Sequence, residues 1–572
     1  MDFTFNIGGA AGQGIDTIGD LLTRVFVKAG YYTFTIKDFE SRIRGGYNFS
    51  QVRVSDRPVY AARSSIDVII ALTEEAITRQ VDSLADGGVV IYDDAIPTKE
   101  KNECYLRLPL QRVAKEVGGS ERMTNAAALG ALTAILRFPF EFVSKTLESM
   151  FKSKGEKVVN SNIAVARALY EMTAQGFTGK CRVDLSSLGW GPSRDTLVLT
   201  GNTALALGAM AANVKWASAY PMSPSTSLFQ EIVASAHRLR IGALQPEDEI
   251  AALCMALGAS FAGARSIVST SGGGFSLMVE ALGLAAMTET PVVIYNAQRP
   301  GPSTGLATRT EQGDLLFVTF AGQGDFPRIV LAPRDPVEAF ETAVRAFNLS
   351  DRYQVPVIIL GDQYFADSSM NVARIDVSRV TIDRGKLEPT DKPGPYKRYL
   401  LTEDGVSPRA FPGDPGKIVV ANGNTHLENG HITEDAAVRN AMVEKFLRKV
   451  PRIRSEMRPP ALYGEEDADT TLLTWGSSWG PVYEAMNILS SDGVSVNQLH
   501  YCDVFPPRTE ILRDLVKRNT RIISIEGNPS SQFAKLLQME SGVMIREHIN
   551  KYDGRPMTTD WVLAQLREVG VR

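Results

Sequence analysis

The chain has 572 residues, enough for roughly three or four domains of about 100–200 residues each. Its 44% hydrophobic and 22% charged residues are typical of a globular protein, and its net charge of −4 argues against a nucleic-acid-binding protein, which usually carries a basic excess. It lacks an apolar run of about 18 residues and the basic start and apolar core of a signal peptide, so we expect no membrane span and a cytoplasmic location.

The sequence pattern of residues 1–185 predicts an α/β domain in which strands and helices alternate. Residues 3–7 are predicted as a strand, 8–14 as a glycine-rich loop and 15–28 as a helix, because apolar residues recur there at helical spacing. The alternation favours a mainly parallel sheet. The further elements predicted here are strands at 31–36, 68–72 and 89–92 and a helical region over about 125–172.

The loop GGAAGQG at 8–14 is a candidate anion site. Glycines let backbone N–H groups approach a phosphate, and the helix that follows presents its positive end. The spacing matches neither the dinucleotide fingerprint nor the P-loop, so a tight turn without a ligand is an equal alternative. Arg42 and Arg44 add positive charge after the next strand, although a solvated surface explains them equally well.

Two further α/β units follow, separated by a long connection. We place the second unit at 195–375, the connection at 376–465 and the third unit at 466–572, because the connection is rich in proline, glycine and charge. It contains one predicted helix, 433–450. The strands predicted in the two units are 214–220, 266–270, 292–295, 329–331, 355–360, 471–474, 494–499 and 521–525.

The cysteines Cys104, Cys181, Cys254 and Cys502 are scattered along the chain without a C-x-x-C pair. Iron–sulfur clusters and structural zinc sites usually need closely spaced thiolates, so we predict no cluster and no metal on this chain. Disulfides are rare in the cytoplasm, and we therefore expect free cysteines that fill cores.

Four segments of the second unit fall at the ends of predicted strands. They are YPMSPST at 220–226, QPEDEI at 245–250, STSGGGF at 269–275 and NAQRPGPSTG at 296–305. Each has a simpler explanation alone: a helix cap, acids that complement a helix dipole, a glycine turn, or a loop arginine bonded to carbonyls. Arg299 in the last segment is suited to bidentate capture of a carboxylate. Since ligands bind beyond the carboxyl ends of parallel strands, the convergence of the four is more specific than any one of them.

These segments resemble the alpha subunit of the 2-oxoacid:ferredoxin oxidoreductases. The resemblance also rests on AGAR at 262–265, TEQGD at 310–314 and EGNPSSQ at 526–532. The loop at 8–14 and RIRGG at 42–46 are similar to the gamma domain of the same family, so the chain resembles a gamma–alpha fusion. The fusion, together with His426 and His431, is most similar to members of the 2-oxoglutarate type.

The resemblance implies three α/β parts: a gamma-type domain, a domain that binds the pyrimidine of thiamine diphosphate, and a transketolase C-terminal-like domain. It places Glu249 at the ring nitrogen N1′ of the cofactor, where its carboxyl would favour the tautomer that generates the thiazolium ylid. Glu249 is selected over its acidic neighbours by counting back from AGA at 262–264. Pro221, Gly273 and Phe275 are the other implied cofactor contacts.

The resemblance also implies the binding of a 2-oxoacid and of coenzyme A. Arg299 would hold the α-carboxylate of the substrate beside Ser223, which stands where related pyruvate enzymes carry a threonine. Arg309 is a candidate partner for a distal carboxylate. Coenzyme A is expected at the gamma-type domain; the residues implied are Gly12, Gln13, Gly14, Arg42 and Arg44.

The sequence lacks the GDG and NN signature for diphosphate and Mg²⁺, as well as cluster cysteines. The resemblance therefore implies a separate beta subunit that carries Mg²⁺ and a [4Fe-4S] cluster, ferredoxin as electron partner, and a dimer of gamma–alpha/beta pairs. The implied reaction converts a 2-oxoacid, coenzyme A and oxidised ferredoxin into acyl-CoA, CO₂ and reduced ferredoxin, or fixes CO₂ in reverse. 2-Oxoglutarate is the expected substrate, with pyruvate, branched-chain or aromatic 2-oxoacids as rivals. A non-catalytic α/β scaffold and a transketolase-type enzyme without redox chemistry are the alternatives from other classes.

Overall fold

The computed structural model describes two compact units. The described residues are 1–41, 45–98, 104–177, 181–186, 195–389, 391, 394–518 and 520–572. Unit 1 comprises Met1–Leu199, Ser368–Arg374 and Thr558–Ala564, and unit 2 comprises Thr200–Asp367, Ile375–Met557 and Gln565–Arg572. Within the described residues, no helix is both long and apolar enough to cross a membrane.

The first 200 residues contain seven of the strands and six of the helices that the structure describes. In chain order they are β1 (Asp2–Ala11), α1 (Ile15–Lys28), β2 (Tyr32–Asp38), β3 (Gly45–Ser55), β4 (Ile66–Ala71), α2 (Glu74–Gln80), β5 (Leu84–Asp93), β6 (Tyr105–Leu108), α3 (Leu110–Gly118), α4 (Thr124–Ile135), α5 (Phe140–Phe151), α6 (Glu156–Gly176) and β7 (Thr196–Thr200).

The elements after residue 200 alternate more regularly. The first of them are α7 (Gly201–Ala211), β8 (Trp216–Ser218), α8 (Thr226–Leu239), β9 (Gly242–Leu244), α9 (Glu249–Phe261), β10 (Ser266–Thr270), α10 (Gly272–Met287), β11 (Val292–Gln298), α11 (Leu315–Phe320), β12 (Ile329–Leu331), α12 (Pro336–Tyr353), β13 (Pro356–Asp362), α13 (Gln363–Asp367) and β14 (Ser369–Ala373). They are followed by α14 (Ala436–Glu456), β15 (Ala461–Gly464), β16 (Thr470–Trp475), α15 (Trp479–Ser491), β17 (Val496–Tyr501), β18 (Asp503–Phe505), α16 (Glu510–Lys517), β19 (Arg521–Glu526), α17 (Gln532–Ser541), β20 (Glu547–Asn550) and α18 (Thr559–Glu568).

Unit 1 is built on an eight-stranded mixed sheet in the order β6-β5-β4-β1-β3-β2-β14-β7. The pairs β1–β4, β4–β5 and β5–β6 are parallel, whereas β1–β3, β3–β2 and β2–β14 are antiparallel. The prediction of a mainly parallel sheet is therefore wrong for the part of the sheet formed by β1, β3, β2 and β14. The sequence analysis did not predict β3, in which polar residues such as Gln51 and Arg53 are buried. Arg53 pairs with Asp2 at 2.6 Å. The short connection from β2 to β3 allows only an antiparallel pair.

Helix α1 packs on this sheet through the apolar face that its sequence spacing predicts. Its bounds match the predicted helix at 15–28, and Leu22 and Phe26 are fully buried. The ring of Phe26 stacks on Phe5 of β1 with centroids 5.5 Å apart. The core of unit 1 thus lies between the sheet and α1, and it places the glycine-rich loop at the carboxyl end of β1.

Unit 2 contains a seven-stranded sheet in the order β18-β12-β13-β11-β10-β8-β9. The strands from β12 to β9 run parallel, and β18 adds an antiparallel edge. Every residue of β11 and of β13 is buried, as expected for parallel strands covered by helices on both faces. The predicted strands at 266–270 and 329–331 are confirmed residue for residue.

A five-stranded sheet, β15-β17-β16-β19-β20, completes unit 2. Trp475 and Tyr501 of this sheet, with Phe533 of α17 packed against them, belong to the same hydrophobic cluster as Val268 and Phe275 of the seven-stranded sheet and its helices. Strand β18, from the predicted third part, joins the seven-stranded sheet, and β14 joins the sheet of unit 1. The predicted domain boundaries stay a prediction.

The connecting segment carries α14, which a buried ion cluster attaches to the end of α10. Glu289 accepts hydrogen bonds from Lys445 and from Lys449, the latter at 2.6 Å. Arg398 of the same segment donates to the backbone carbonyl of Glu289 at 2.6 Å. All four side chains are buried, so a segment that is rich in proline and glycine is nevertheless anchored by buried charge.

Candidate functional site

Four neighbouring strands of unit 2 end at one edge of the seven-stranded sheet. Strands β9, β8, β10 and β11 are adjacent and parallel, so the segments that follow them meet at the carboxyl edge of the sheet. These are the four segments that the sequence predicted to converge. We call this the carboxyl-edge site; its candidate residues are Pro221, Ser223, Glu249, Gly273, Arg299 and Arg309.

Glu249 is a buried carboxylate with a free acceptor atom. It is the first residue of α9 and only 3% exposed, and its Oε1 has no hydrogen-bond partner within the described residues. Asp248 caps the helix, because its side chain accepts the backbone N–H of Ala251 at 2.8 Å, and Glu247 is exposed. The structure therefore gives three adjacent acids three different environments, and Glu249 alone of the three is buried.

Helix α10 begins directly against this carboxyl group. A Cβ atom at Gly274 would lie 2.7 Å from Oε1 of Glu249 and 2.2 Å from Oγ1 of Thr270. A glycine is required at this position, because any side chain would displace one of these groups. The neighbouring Gly273 is exposed at the rim, where a Cβ would meet only the carbonyl oxygen of Ser303 and the sulfur of Met222 at ordinary contact distance.

Arg299 follows β11 and reaches across to the segment after β8. Its Nη1 donates to the backbone carbonyl of Ser223 at 2.9 Å, and its buried Nε has no hydrogen-bond partner within the described residues. Burial lowers the pKa of Arg299, while the nearby Asp314 acts in the opposite direction. The guanidinium thus has a donor available at the same edge as Glu249.

Asp314 is a functional candidate that the sequence reasoning did not assign. Its carboxylate accepts a hydrogen bond from Nδ2 of Asn296 at 3.0 Å, and its backbone N–H donates to Oε1 of Gln298 at 3.0 Å. Burial raises the pKa of Asp314 to about 6, against the lowering effects of Asn296 and Arg299. The signal available in the sequence was the TEQGD segment, whose acid opens α11 directly after the loop that begins at Arg299.

The remaining predicted residues lie in different surroundings. Pro221 is exposed in the segment after β8. Arg309 packs near Gly554: a Cβ atom added to Gly554 would lie 3.1 Å from the Cβ of Arg309. Phe275 is fully buried in the core, edge-to-face with Phe317 at 5.3 Å, so it lies beneath the rim that Gly273 forms.

The glycine-rich loop of unit 1 borders an open depression of about 970 Å³, its mouth included. Gly14 has φ +78° and precedes α1, and a Cβ there would collide with the amide of Asn125 at 2.2 Å. Gln13 accepts the backbone N–H of Ala10 at 2.7 Å. The depression is lined by Gly12, Gln13, Gly14, Leu72, Gln111, Glu121, Arg122, Thr124 and Asn125. Arg42 and Arg44 lie outside the described residues.

The histidines singled out in the connecting segment have different environments. His426 is buried, and its ring lies against that of Tyr399 with centroids 3.8 Å apart and the planes tilted by 32°. Its Nε2 lies 3.1 Å from the carbonyl oxygen of Met287. His431 is exposed. The four cysteines are free. Cys104, Cys181 and Cys502 are partly buried, and Cys254 is exposed, so the prediction of a core position is wrong for Cys254.

Family models match both halves of the chain. Residues 207–445 match the model described as pyruvate flavodoxin/ferredoxin oxidoreductase, thiamine diphosphate-binding. Residues 4–172 match the model described as pyruvate ferredoxin/flavodoxin oxidoreductase. The first match includes Ser223, Glu249, Arg299 and Asp314, and the second includes the glycine-rich loop.

Relatives and a solved structure match the chain over nearly its whole length. The alpha subunit of 2-oxoacid:ferredoxin oxidoreductase 2 from Aeropyrum pernix is 31% identical over 100% of this chain and 98% of its own. The chain belongs to the 2-oxoacid:ferredoxin oxidoreductase family. The 2-oxoglutarate oxidoreductase subunit KorA of Mycobacterium tuberculosis is 30% identical over 93% of this chain and 86% of its own.

The solved structure is the 2-oxoglutarate:ferredoxin oxidoreductase from Magnetococcus marinus with 2-oxoglutarate, coenzyme A and succinyl-CoA bound. It is 32% identical to this chain, covers 99% of both chains and superposes with a TM-score of 0.91. The predicted family and fold class are thereby confirmed: this chain is a subunit of a 2-oxoacid:ferredoxin oxidoreductase of the alpha type.

Proposed function

We propose that this oxidoreductase subunit binds the aminopyrimidine of thiamine diphosphate at Glu249 and acts on 2-oxoglutarate together with a separate beta subunit. The observation that carries the proposal is the buried Oε1 of Glu249, which lacks a hydrogen-bond partner within the described residues. A buried polar atom without a partner costs about 1–3 kcal/mol of stability. A ring nitrogen that shares a proton with this carboxyl would remove that cost.

The residues present fit thiamine diphosphate. Glu249 supplies the oxygen that the ring nitrogen requires, and Gly273 leaves the rim open beside it. When bound, the cofactor supplies the electron sink for loss of CO₂ from a 2-oxoacid. Glu249 holds the shared proton, and Gly274 lets the carboxyl lie close to the start of α10.

Arg299 and Ser223 support the binding of a 2-oxoacid. The Nε of Arg299 has no hydrogen-bond partner within the described residues, and a guanidinium can bind a carboxylate through two parallel hydrogen bonds. Ser223 is exposed beside it. The Magnetococcus marinus structure contains 2-oxoglutarate, and the Mycobacterium tuberculosis relative is named for it. We therefore assign 2-oxoglutarate to this site, with Arg309 as the candidate for its distal carboxylate.

The surface around the carboxyl edge supports a partner subunit. Large apolar side chains project there at Tyr220, Ile250, Leu277 and Leu306, the last two each 51% exposed. Such rims of apolar groups mark protein interfaces. We assign the diphosphate-binding Mg²⁺ and the [4Fe-4S] cluster to that beta subunit and propose ferredoxin as the electron acceptor. The proposed assembly is a dimer of gamma–alpha/beta pairs in the cytoplasm.

Coenzyme A is assigned to unit 1. The depression beside Gly12, Gln13 and Gly14 presents backbone N–H groups at the start of α1, where phosphate groups are favoured. The Magnetococcus marinus structure holds coenzyme A and succinyl-CoA.

Pro221 and Gly273 would contact the thiamine cofactor at the rim, with Phe275 as support beneath it.

The experiment replaces Glu249 by Gln in the chain co-purified with its beta subunit. We expect coenzyme-A-dependent reduction of a viologen dye by 2-oxoglutarate to fall about 10²–10⁴-fold, the range for loss of a positioned acid–base group. The matched control Glu247→Gln changes an exposed acid two residues away and should retain activity. Wild-type activity in Glu249→Gln would overturn the role of Glu249, and a higher kcat/KM with pyruvate than with 2-oxoglutarate would overturn the substrate.

A further inference from the structure

A second cluster of chemistry-bearing side chains lies in unit 2, apart from the residues assigned to the oxidoreductase reaction. It consists of Glu338 in the first turn of α12, His500 near the end of β17, and Cys502 two residues later. Residues two apart in extended chain face the same side. One ligand atom from each residue lies within 4.8 Å of the other two. We call these three residues the Glu-His-Cys cluster.

The histidine of this cluster has a free ring nitrogen in a buried place. His500 is 1% exposed, and its Nε2 has no hydrogen-bond partner within the part of the chain that the structure describes. Its Nδ1 lies 2.9 Å from Oγ1 of Thr474, which also accepts a hydrogen bond from Gln498 at 2.8 Å. A hydroxyl oxygen can accept two hydrogen bonds. With Nδ1 as the donor, Nε2 presents a lone pair to the cluster, which is the tautomer that metal-binding histidines use.

The thiol and the carboxyl of the cluster hold a proton between them. The Sγ of Cys502 donates to Oε2 of Glu338 at 2.6 Å. Burial raises the pKa of the Cys502 thiol, and Glu338 raises it further. Burial also raises the pKa of Glu338. A divalent cation reverses this preference, because it displaces the thiol proton and neutralises both anions.

We propose that Glu338, His500 and Cys502 bind a divalent cation of the zinc class, with a water molecule in the fourth position. A thiolate, an imidazole and a carboxylate form a donor set that Zn²⁺ accepts in tetrahedral geometry. Zinc–ligand bonds of about 2.0–2.3 Å set ligand atoms about 3.3–3.5 Å apart. The ligand atoms of the cluster lie within 4.8 Å of one another, and Sγ of Cys502 is 2.6 Å from Oε2 of Glu338. Binding therefore needs shifts of about 1–1.5 Å that bring the more distant atoms together and separate the thiol from the carboxyl oxygen. This site departs from the sequence prediction of a chain without a metal.

The positive charges near the cluster have partners of their own. Arg334 and Arg458 each place a guanidinium nitrogen 4.0 Å from a carboxylate oxygen of Glu338. Arg334 pairs more closely with Asp335, at 3.1 Å. Arg458 pairs with Glu341 at 3.2 Å. These acids offset the charge of the two arginines, which leaves the Glu-His-Cys cluster able to take a divalent cation.

The bound cation would connect two layers of unit 2. Glu338 belongs to a helix that follows a strand of the seven-stranded sheet, whereas His500 belongs to the five-stranded sheet. A metal bound only by the folded chain stabilises it by mass action. The expected role is therefore structural, and it does not depend on the proposed reaction.

The test uses the full chain, expressed in medium supplemented with Co²⁺ or Zn²⁺ and purified without chelator. We expect one metal per chain by elemental analysis and a thiolate-to-cobalt charge-transfer band in the Co²⁺ form. Cys502→Ser should remove the band and weaken Co²⁺ binding by more than about 100-fold, since losing a ligand costs more than losing a group behind it. Zn²⁺ should raise the melting temperature of the wild-type chain and not that of the variant.

The matched control is Cys181→Ser, which changes another partly buried free cysteine and should keep both the metal and the band. If Cys502→Ser does not fold, His500→Gln applies the same test, with loss of the metal expected. A wild-type chain without metal or without the band overturns the proposal. A band that persists in Cys502→Ser, or that disappears in Cys181→Ser, also overturns it.

Discussion

Asp314 and Arg299 form an electrostatic pair beside the proposed substrate position. The carboxyl of Asp314 has a pKa of about 6, raised by burial from 3.8, and Arg299 and Asn296 oppose that rise. Asp314 is therefore neutral below about pH 6 and charged above it. Once charged, it shares Arg299 with any carboxylate that binds there, so its ionisation works against the binding of a 2-oxoacid.

We predict that the KM for 2-oxoglutarate rises as the pH increases through about 6. A repulsion of about 1–2 kcal/mol between two carboxylates that share one cation corresponds to a change of about 5–30-fold in KM. Asp314→Asn removes the titrating group, and its KM should be low and constant over this range. The measurement is a KM–pH profile of the complex with beta subunit. The control is Asp325→Asn, which changes an exposed acid a few residues after α11, the helix that follows Asp314. A KM that still rises with pH in Asp314→Asn would contradict the prediction.

At the scale of the element, α10 determines how closely a backbone approaches Glu249. The helix contains glycines in its first turn and another, Gly283, in its interior. A Cβ at Gly274 would overlap with Glu249 and Thr270, whereas a Cβ at Gly283 would meet no described atom within 4 Å outside the adjacent residues and backbone of its own helix. The same helix therefore offers two glycines of opposite consequence.

We predict that Gly274→Ala lowers kcat/KM more than tenfold and costs about 1–3 kcal/mol of stability, because overpacking displaces the Glu249 carboxyl. Gly283→Ala should keep full activity and stabilise the helix by up to about 1 kcal/mol, since alanine has the higher helix propensity. Dye-reduction kinetics and thermal unfolding of both variants check this. Equal activity in the two variants would show that the close approach at Gly274 has no catalytic consequence.

At the scale of the whole molecule, the connecting segment is held to the rest of unit 2 by the buried charges around Glu289. Burial alone would raise the pKa of Glu289, but Lys445, Lys449 and Arg398 outweigh it and lower the pKa to about 2. A carboxyl with a lowered pKa stabilises the fold fully above its ordinary value of 4.5. That stabilisation is lost as the pH falls toward about 2.

We predict that Glu289→Gln destabilises unit 2 by about 3–5 kcal/mol, because it leaves Lys445 and Lys449 buried without a counter-charge. The measurement is the urea midpoint of the full chain at neutral pH. Glu444→Gln, which changes an exposed acid on α14, should stay within about 0.5 kcal/mol of the wild type. A Glu289→Gln midpoint equal to that of the control would mean that the ion cluster does not anchor the segment.

Local patterns were sufficient wherever one short stretch of chain decides the outcome. The helix at 15–28 and the strands at 266–270 and 329–331 were predicted with the observed bounds, because their periodicity is local. The family resemblance selected Glu249 over Glu247 by counting back from AGA at 262–264, and its role stays a prediction; of the two acids, Glu249 is the buried one. Strand β3 escaped prediction because its buried polar residues are matched by partners distant in sequence, such as Asp2 for Arg53.

The sequence by itself determined the family, the segments that meet at the carboxyl edge, and several buried strands of unit 2, such as those at 266–270 and 329–331. It did not predict the short strands β9, β15, β18 and β20. Only the tertiary structure decided that Asp314 lies beside Arg299 and that Glu338 lies beside His500 and Cys502. The physical reason is that burial and proximity set the charge state of these groups. Both depend on how sheets and helices pack, and no spacing along the chain encodes the distance between α12 and β17.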